Sequence, residues 1–205
     1  MHVALTDALA CPRCGPEWGL ILIAKRTVGR RLLDGYFGCA NCRQEWPLRD
    51  GYAEFIEGEA DDVALQAPSS QSAILIAAAL GITEGPATVV LIGSGASNAE
   101  HVAQMVEGME VVAVSRALSQ AEEAPGVSRI GAGERLPFRT GFARGIVLTD
   151  EASLQYLEQA ARVAGLTARI VAMSGAEDVV ERMTAAGLQV IVRDENVTVA
   201  QRTAL

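Results

Sequence analysis

The chain has 205 residues, half of them hydrophobic but only 4% aromatic, and its 25 acidic and 17 basic side chains leave a net charge of −8. That length suits one full domain with a small module or one larger domain, and the aliphatic bias calls for a core of Val, Leu, Ile and Ala. No apolar run approaches the roughly 18 residues that span a bilayer, which excludes a helical membrane protein. With no signal peptide in view, the chain is expected in the cytoplasm, where thiols stay reduced.

Residues 1–57 carry seven basic and seven acidic side chains, whereas residues 58–205 carry ten against eighteen. An acidic main segment is a poor non-specific binder of nucleic acid, because phosphate neutralisation needs lysine and arginine. The local exception is Lys25, Arg26, Arg30 and Arg31. These form either a basic hairpin tip that touches RNA or a solvated hairpin end, and the second reading is favoured.

In chain order, Cys11-Pro-Arg-Cys14-Gly opens a module of short strands and turns: Leu20–Ala24 reads as a strand, Arg31–Phe37 leads into Cys39-Ala-Asn-Cys42, and Trp46-Pro-Leu-Arg-Asp-Gly51 follows. The acidic and small residues of 58–70, with Pro68, read as a linker. A helix is then expected over 71–80, capped by Ser69 or Ser70 and ended by Gly81. Ala87–Ile92 is a continuous apolar run of the buried parallel-strand type. Further strands are expected at 110–114, 127–130, 145–149 and 168–172, alternating with helices near 97–107, 151–164 and 176–186. Leu188–Val192 and Val197–Gln201 close the chain as an antiparallel hairpin. The expected class is α/β: a doubly wound, mostly parallel sheet over 71–205, with a small β-rich metal ribbon over 1–57.

Cys11, Cys14, Cys39 and Cys42 are the only cysteines. Each pair sets two thiolates on one tight turn, and two such knuckles complete a tetrahedral four-sulfur shell. A closed all-thiolate shell favours zinc over hard cations and leaves no open position for water, so the ion would be structural. Two disulfides or a redox dithiol are the competing readings. Gly93-Ser94-Gly95 lies between a buried strand and a helix, where α/β sheets meet nucleotide-type ligands. The third glycine of the dinucleotide pattern is Asn98 here, and no phosphate-binding lysine follows. His2 and His101 have no partner in the sequence that suggests metal or triad chemistry.

The succession Val89–Gly95, Val111–Ser115, Gly133-Glu-Arg-Leu-Pro-Phe138 and Gly145–Leu148 resembles the class I S-adenosylmethionine-dependent methyltransferases over residues 70–201. The resemblance implies S-adenosylmethionine held by Gly93, Ser94, Gly95, Ser115, Glu134 and Leu136. The first module is similar to the small zinc-binding activator subunits of tRNA, rRNA and release-factor methyltransferases, through Cys11-Pro-Arg-Cys14-Gly15 and Trp46-Pro-Leu-Arg-Asp-Gly51. Departures accompany the matches. Where the family has acidic cofactor anchors this chain has Leu91, Ser115 and Ala132, and its first motif ends in Ser97. A charge-assisted hydrogen bond is worth roughly 1.5–3 kcal/mol, so losing several costs about a thousandfold in affinity.

No catalytic residue is assigned. Asp150 and Glu151 follow the fourth strand of the sheet either as a general base or, the favoured reading, as acidic residues at a helix start. The expectation is a zinc-binding, methyltransferase-like protein that has lost catalysis and binds a protein partner, a methyltransferase or a second copy. Its binding surface would be the Trp46–Gly51 segment and the basic hairpin. The alternative is an active methyltransferase of RNA or protein with an atypical cofactor grip.

Overall fold

The computed structural model of the chain describes residues 1–57 and 64–202. After a 3-10 segment at Val3–Ala8, four strands form an antiparallel meander: β1 (Leu20–Val28), β2 (Arg31–Cys39), β3 (Glu45–Arg49) and β4 (Tyr52–Phe55). Asp50 and Gly51 join β3 to β4 at φ 44 and 77. Positive φ at both centres of a two-residue loop matches the twist of the flanking strands, and Asp-Gly is the dipeptide that tolerates it best.

The second part begins with α1 (Ser70–Leu80). The Ser69 side chain accepts from the Ser72 N–H, and Gly81 ends the helix in the left-handed conformation. The apolar run within it is only half buried: Ala73, Ile76 and Leu80 face inward, whereas Ile74 and Leu75 are exposed. Then come β5 (Ala87–Ile92), α2 (Ala99–Ala103), β6 (Met109–Val114), β7 (Val127–Ala132), β8 (Ala143–Leu148), α3 (Leu157–Val163), β9 (Ala164–Ala172), α4 (Val179–Ala185), β10 (Leu188–Arg193) and β11 (Thr198–Arg202). Strands β7, β6, β5, β8 and β9 run parallel in that spatial order; β11 pairs antiparallel with β9, and β10 closes the sheet antiparallel to β11. The helices after β5 and β8 start later than expected because Ser94–Asn98 and Ala152–Tyr156 are 3-10 segments, and α2 also ends earlier, at Ala103. Ser and Asn side chains in those turns compete for backbone groups and tighten the first turn.

Helices α1 and α2 pack on the sheet face that carries Val89, Leu91, Val111 and Val147. Helices α3 and α4 pack on the opposite face, with Val90, Ile92, Ile146 and Leu148. The sheet is therefore doubly wound, as the strand–helix alternation implies.

The ribbon does not stand apart. Strand β4 pairs in parallel with β7, from Tyr52↔Arg129 to Phe55↔Ala132, so 11 strands form one continuous sheet. Its aromatic residues enter the shared core: the Phe55 ring lies 5.6 Å from that of Phe37 and 5.9 Å from that of Trp46, in one cluster with Ile130, Leu136 and Phe138. Glu123 adds a polar tie, with ion pairs to Arg31 at 2.8 Å, to the Met1 ammonium at 2.8 Å and to Arg129 at 3.9 Å. Of the expected linker 58–70, residues 58–63 lie outside the described residues, and 64–69 run without regular structure into α1.

Candidate metal centre and glycine-loop cavity

Two matching knuckles bring the cysteines together. The Cys11 carbonyl accepts from the Gly15 N–H at 3.0 Å, and the Cys39 carbonyl accepts from the Arg43 N–H at 2.9 Å. Gly15 (φ 111) and Arg43 (φ 60) both turn the chain through positive φ. All four Sγ atoms lie within 4.8 Å of one another, with Cys11–Cys42 at 3.7 Å and Cys14–Cys39 at 3.8 Å. A tetrahedral ion with sulfur ligands at about 2.3 Å has edges of about 3.8 Å, so the spacing fits a zinc-type centre. A disulfide needs its sulfurs at about 2.0 Å, and the four cysteines are free thiols. Burial pushes the Cys11 thiol up to about 12, whereas at Cys39 the N–H groups of Cys42 and Asn41 outweigh burial and bring it down to about 7. A central cation is what lets four sulfurs ionise together. The Asn41 amide also donates to Cys14 Sγ at 3.3 Å, steadying the second knuckle against the first.

The glycine loop follows β5 at the carboxyl ends of the parallel strands, where this class of sheet binds ligands. Gly93 has φ 105 and ψ −159, open only to glycine, and a Cβ there would come within 2.5 Å of Asp150 Oδ2. The loop donors are occupied by side chains of the segment after β8. Asp150 Oδ2 accepts from the Ser94 N–H at 2.5 Å, and Oδ1 accepts from the Ser153 N–H at 2.8 Å. Thr149 Oγ1 accepts from the Gly95 N–H and donates to the Ile92 carbonyl, both at 2.8 Å. Asn98, standing where a third glycine would be, donates to the Gly95 carbonyl at 3.0 Å and accepts from the Ser69 N–H at 2.7 Å. It ties the loop to the start of α1.

A cavity of about 360 Å³ opens beside this loop. Gly93, Ser115 and Glu134 line it, together with Asp150, Arg116 and Tyr156. Ser94 and Gly95 are buried behind it, and Leu136, 3% exposed, belongs to the core and to a neighbouring cavity beside Cys11. Of the expected cofactor residues, three thus share one cavity and three do not. Burial raises the Tyr156 phenol, with Glu134 adding to the effect, and its hydroxyl donates to the Gly133 carbonyl at 2.6 Å. Glu57, on the ribbon, reaches the same cavity and lies 3.4 Å from Arg13. Nothing in the sequence marks Glu57, because it reaches the cavity only through the pairing of β4 with β7.

Two further expectations change. Trp46 is 2% and Leu48 1% exposed, so the Trp46–Gly51 segment packs its apolar side chains into the core instead of presenting them to a partner. The basic hairpin is partly spent within the molecule: Arg26 pairs with Asp34 and with Asp50, and Arg31 pairs with Glu123. Lys25 sits 5.8 Å from the centre of the Tyr36 ring.

No protein-family model matches the chain, and no curated protein matches its sequence. Solved structures do. One is a chain from the complex between the Haloferax volcanii Trm112 methyltransferase activator and a methyltransferase: 14% identity, TM-score 0.52, covering 66% of this chain and 89% of that one. Another is the tRNA methyltransferase TrmI from Aquifex aeolicus: 11% identity, TM-score 0.50, covering 70% and 73%. The cyclase SpnF matches at 12% identity and TM-score 0.50, over 65% of each chain. The fold is that of the class I S-adenosylmethionine-dependent methyltransferases. SpnF, a cyclase, shares it, so the fold alone does not name the reaction.

Proposed function

We propose that this is a zinc-binding protein of methyltransferase fold that has lost methyl transfer and serves as a binding or scaffold partner for another protein. The observation that carries this reading is the Asp150 carboxylate, which accepts the Ser94 N–H and so occupies the glycine loop from inside. Thr149 takes the next donor, at Gly95. A cofactor entering here would have to displace a charge-assisted hydrogen bond, and would find Ser115 where the methyltransferase pattern has its ribose-binding acid. A protein partner is favoured over RNA because the net charge is −8 and two of the four hairpin cations are already paired.

The second reading, an active methyltransferase, is favoured by the cavity itself. Glu57 and Glu134 border it and can stand in for the missing acids toward a ligand with cationic sulfonium and ammonium groups. Isothermal titration with S-adenosylmethionine and S-adenosylhomocysteine separates the two. No heat at millimolar ligand is expected, and micromolar binding overturns the loss of function. In the same titration, Ser115→Asp should restore measurable affinity if the pocket is otherwise intact.

A further inference from the structure

A second cavity, of about 540 Å³, lies at the opposite end of the sheet from the glycine loop. It is roofed by the amino-terminal 3-10 segment and floored by the first residues of β5, β6, β7 and β8. Ligands of α/β sheets ordinarily sit at the carboxyl ends of the strands, so the fold gives no reason to expect a site here. Its size is nonetheless within the usual range for small-molecule pockets.

Its polar groups are mostly hydrogen-bond donors. The His2 Nδ1 accepts from the Ala4 N–H at 3.2 Å, which leaves Nε2 of a neutral ring as the protonated, donating nitrogen. Ser128 is 2% exposed, and its Oγ accepts from the His2 N–H at 2.9 Å, so its own hydroxyl proton is free to turn into the cavity. Arg30, from the β1–β2 turn, and Arg144, near the start of β8, line the rim. Among the described residues neither guanidinium has an ion-pair or hydrogen-bond partner. The one carboxylate present, Glu110, is 3.6 Å from Arg31, so its charge is met by a cation outside the lining. Leu5, Ala8, Pro86 and Phe142 supply an apolar wall.

Donors at one side of an apolar chamber, two of them guanidinium groups without a carboxylate partner among the described residues, describe a local anion receptor in an otherwise acidic protein. We propose that this cavity binds a small organic oxyanion, a carboxylate or phosphate on a compact apolar body, with Arg30 and Arg144 clamping the headgroup and His2 and Ser128 completing its hydrogen bonds. The site is independent of the glycine loop and of whether S-adenosylmethionine binds.

The test is amide chemical-shift mapping of the full chain with phenyl phosphate and benzoate, with phenol as the neutral analogue. At least one anion should shift the amides of Ala4, Leu5, Ser128 and Arg144 saturably, with phenol at least tenfold weaker. Arg30→Ala and Arg144→Ala, both exposed positions whose loss leaves no buried partner, should each weaken anion binding about tenfold, the effect of one charge-assisted contact. No saturable shift at 10 mM of either anion, equal binding of phenol, shifts confined to the glycine loop, or variants that bind as well as the parent would each overturn it. An unchanged amide spectrum of the free variants shows that they remain folded.

Discussion

Asp150, Asn98 and Glu123 are three polar residues whose work is visible only through their partners. Asp150 and Asn98 hold the glycine loop closed on itself. Glu123 neutralises Arg31 and Arg129, the second of which is 3% exposed and also donates to the Leu118 carbonyl at 3.2 Å. Removing Glu123 from this partly buried network leaves buried Arg129 without its carboxylate, so Glu123→Ala should cost about 2–3 kcal/mol in urea denaturation. Burial works to raise the Glu123 carboxyl, but the Met1 ammonium and Arg31 outweigh it and hold the group below its ordinary 4.5. A carboxyl lowered in the folded state lends stability above its unfolded value and loses it as pH falls through the lowered one. Unfolding midpoints should therefore drop below about pH 4.5, and Glu123→Gln should flatten that dependence. An acid profile identical in the variant would remove Glu123 as its source.

At the scale of elements, the join between β4 and β7 decides the architecture. Phe55, 1% exposed, sits on it with Phe37 and Trp46 against its ring, in the cluster that contains Ile130 and Phe138. Deleting such a ring leaves a cavity that neighbours fill poorly, so Phe55→Ala should cost about 3–5 kcal/mol. The decisive measurement is hydrogen exchange: protection should fall in β7 as well as in the ribbon. Loss confined to the ribbon would mean that the join is weak. The helices show how local chemistry and packing divide the work. Ser69 and Gly81 bound α1 where their types predict, whereas 3-10 turns take up the first residues expected of α2 and α3.

For the whole molecule, a metal in the four-cysteine site would stabilise more than the ribbon, because ribbon and sheet share a core. One zinc per chain is expected by atomic absorption. Chelation should lower Tm by about 10 °C or more, since a structural metal contributes several kcal/mol and each is worth roughly 2–4 °C at this size. Tryptophan fluorescence, which reports on the ribbon through Trp18 and Trp46, and far-UV circular dichroism should change in one transition. Two separated transitions would show that ribbon and sheet fold independently.

Features that depend on neighbours along the chain were legible in the sequence: the paired cysteines, the Ser69 and Gly81 caps, the buried parallel strands and the glycine loop after the first of them. Spacing of two to four residues controls such features, and the side chain's own geometry enforces them. Long-range packing set β4 beside β7, turned Trp46 and Leu48 inward, brought Glu57 to the cavity and carried Asp150 from the end of β8 across to the glycine loop. Those outcomes join residues tens of positions apart: 77 for β4 and β7, 56 for Ser94 and Asp150. They follow from which surfaces exclude water together, and that is a property of the assembled sheet and of no single stretch of chain.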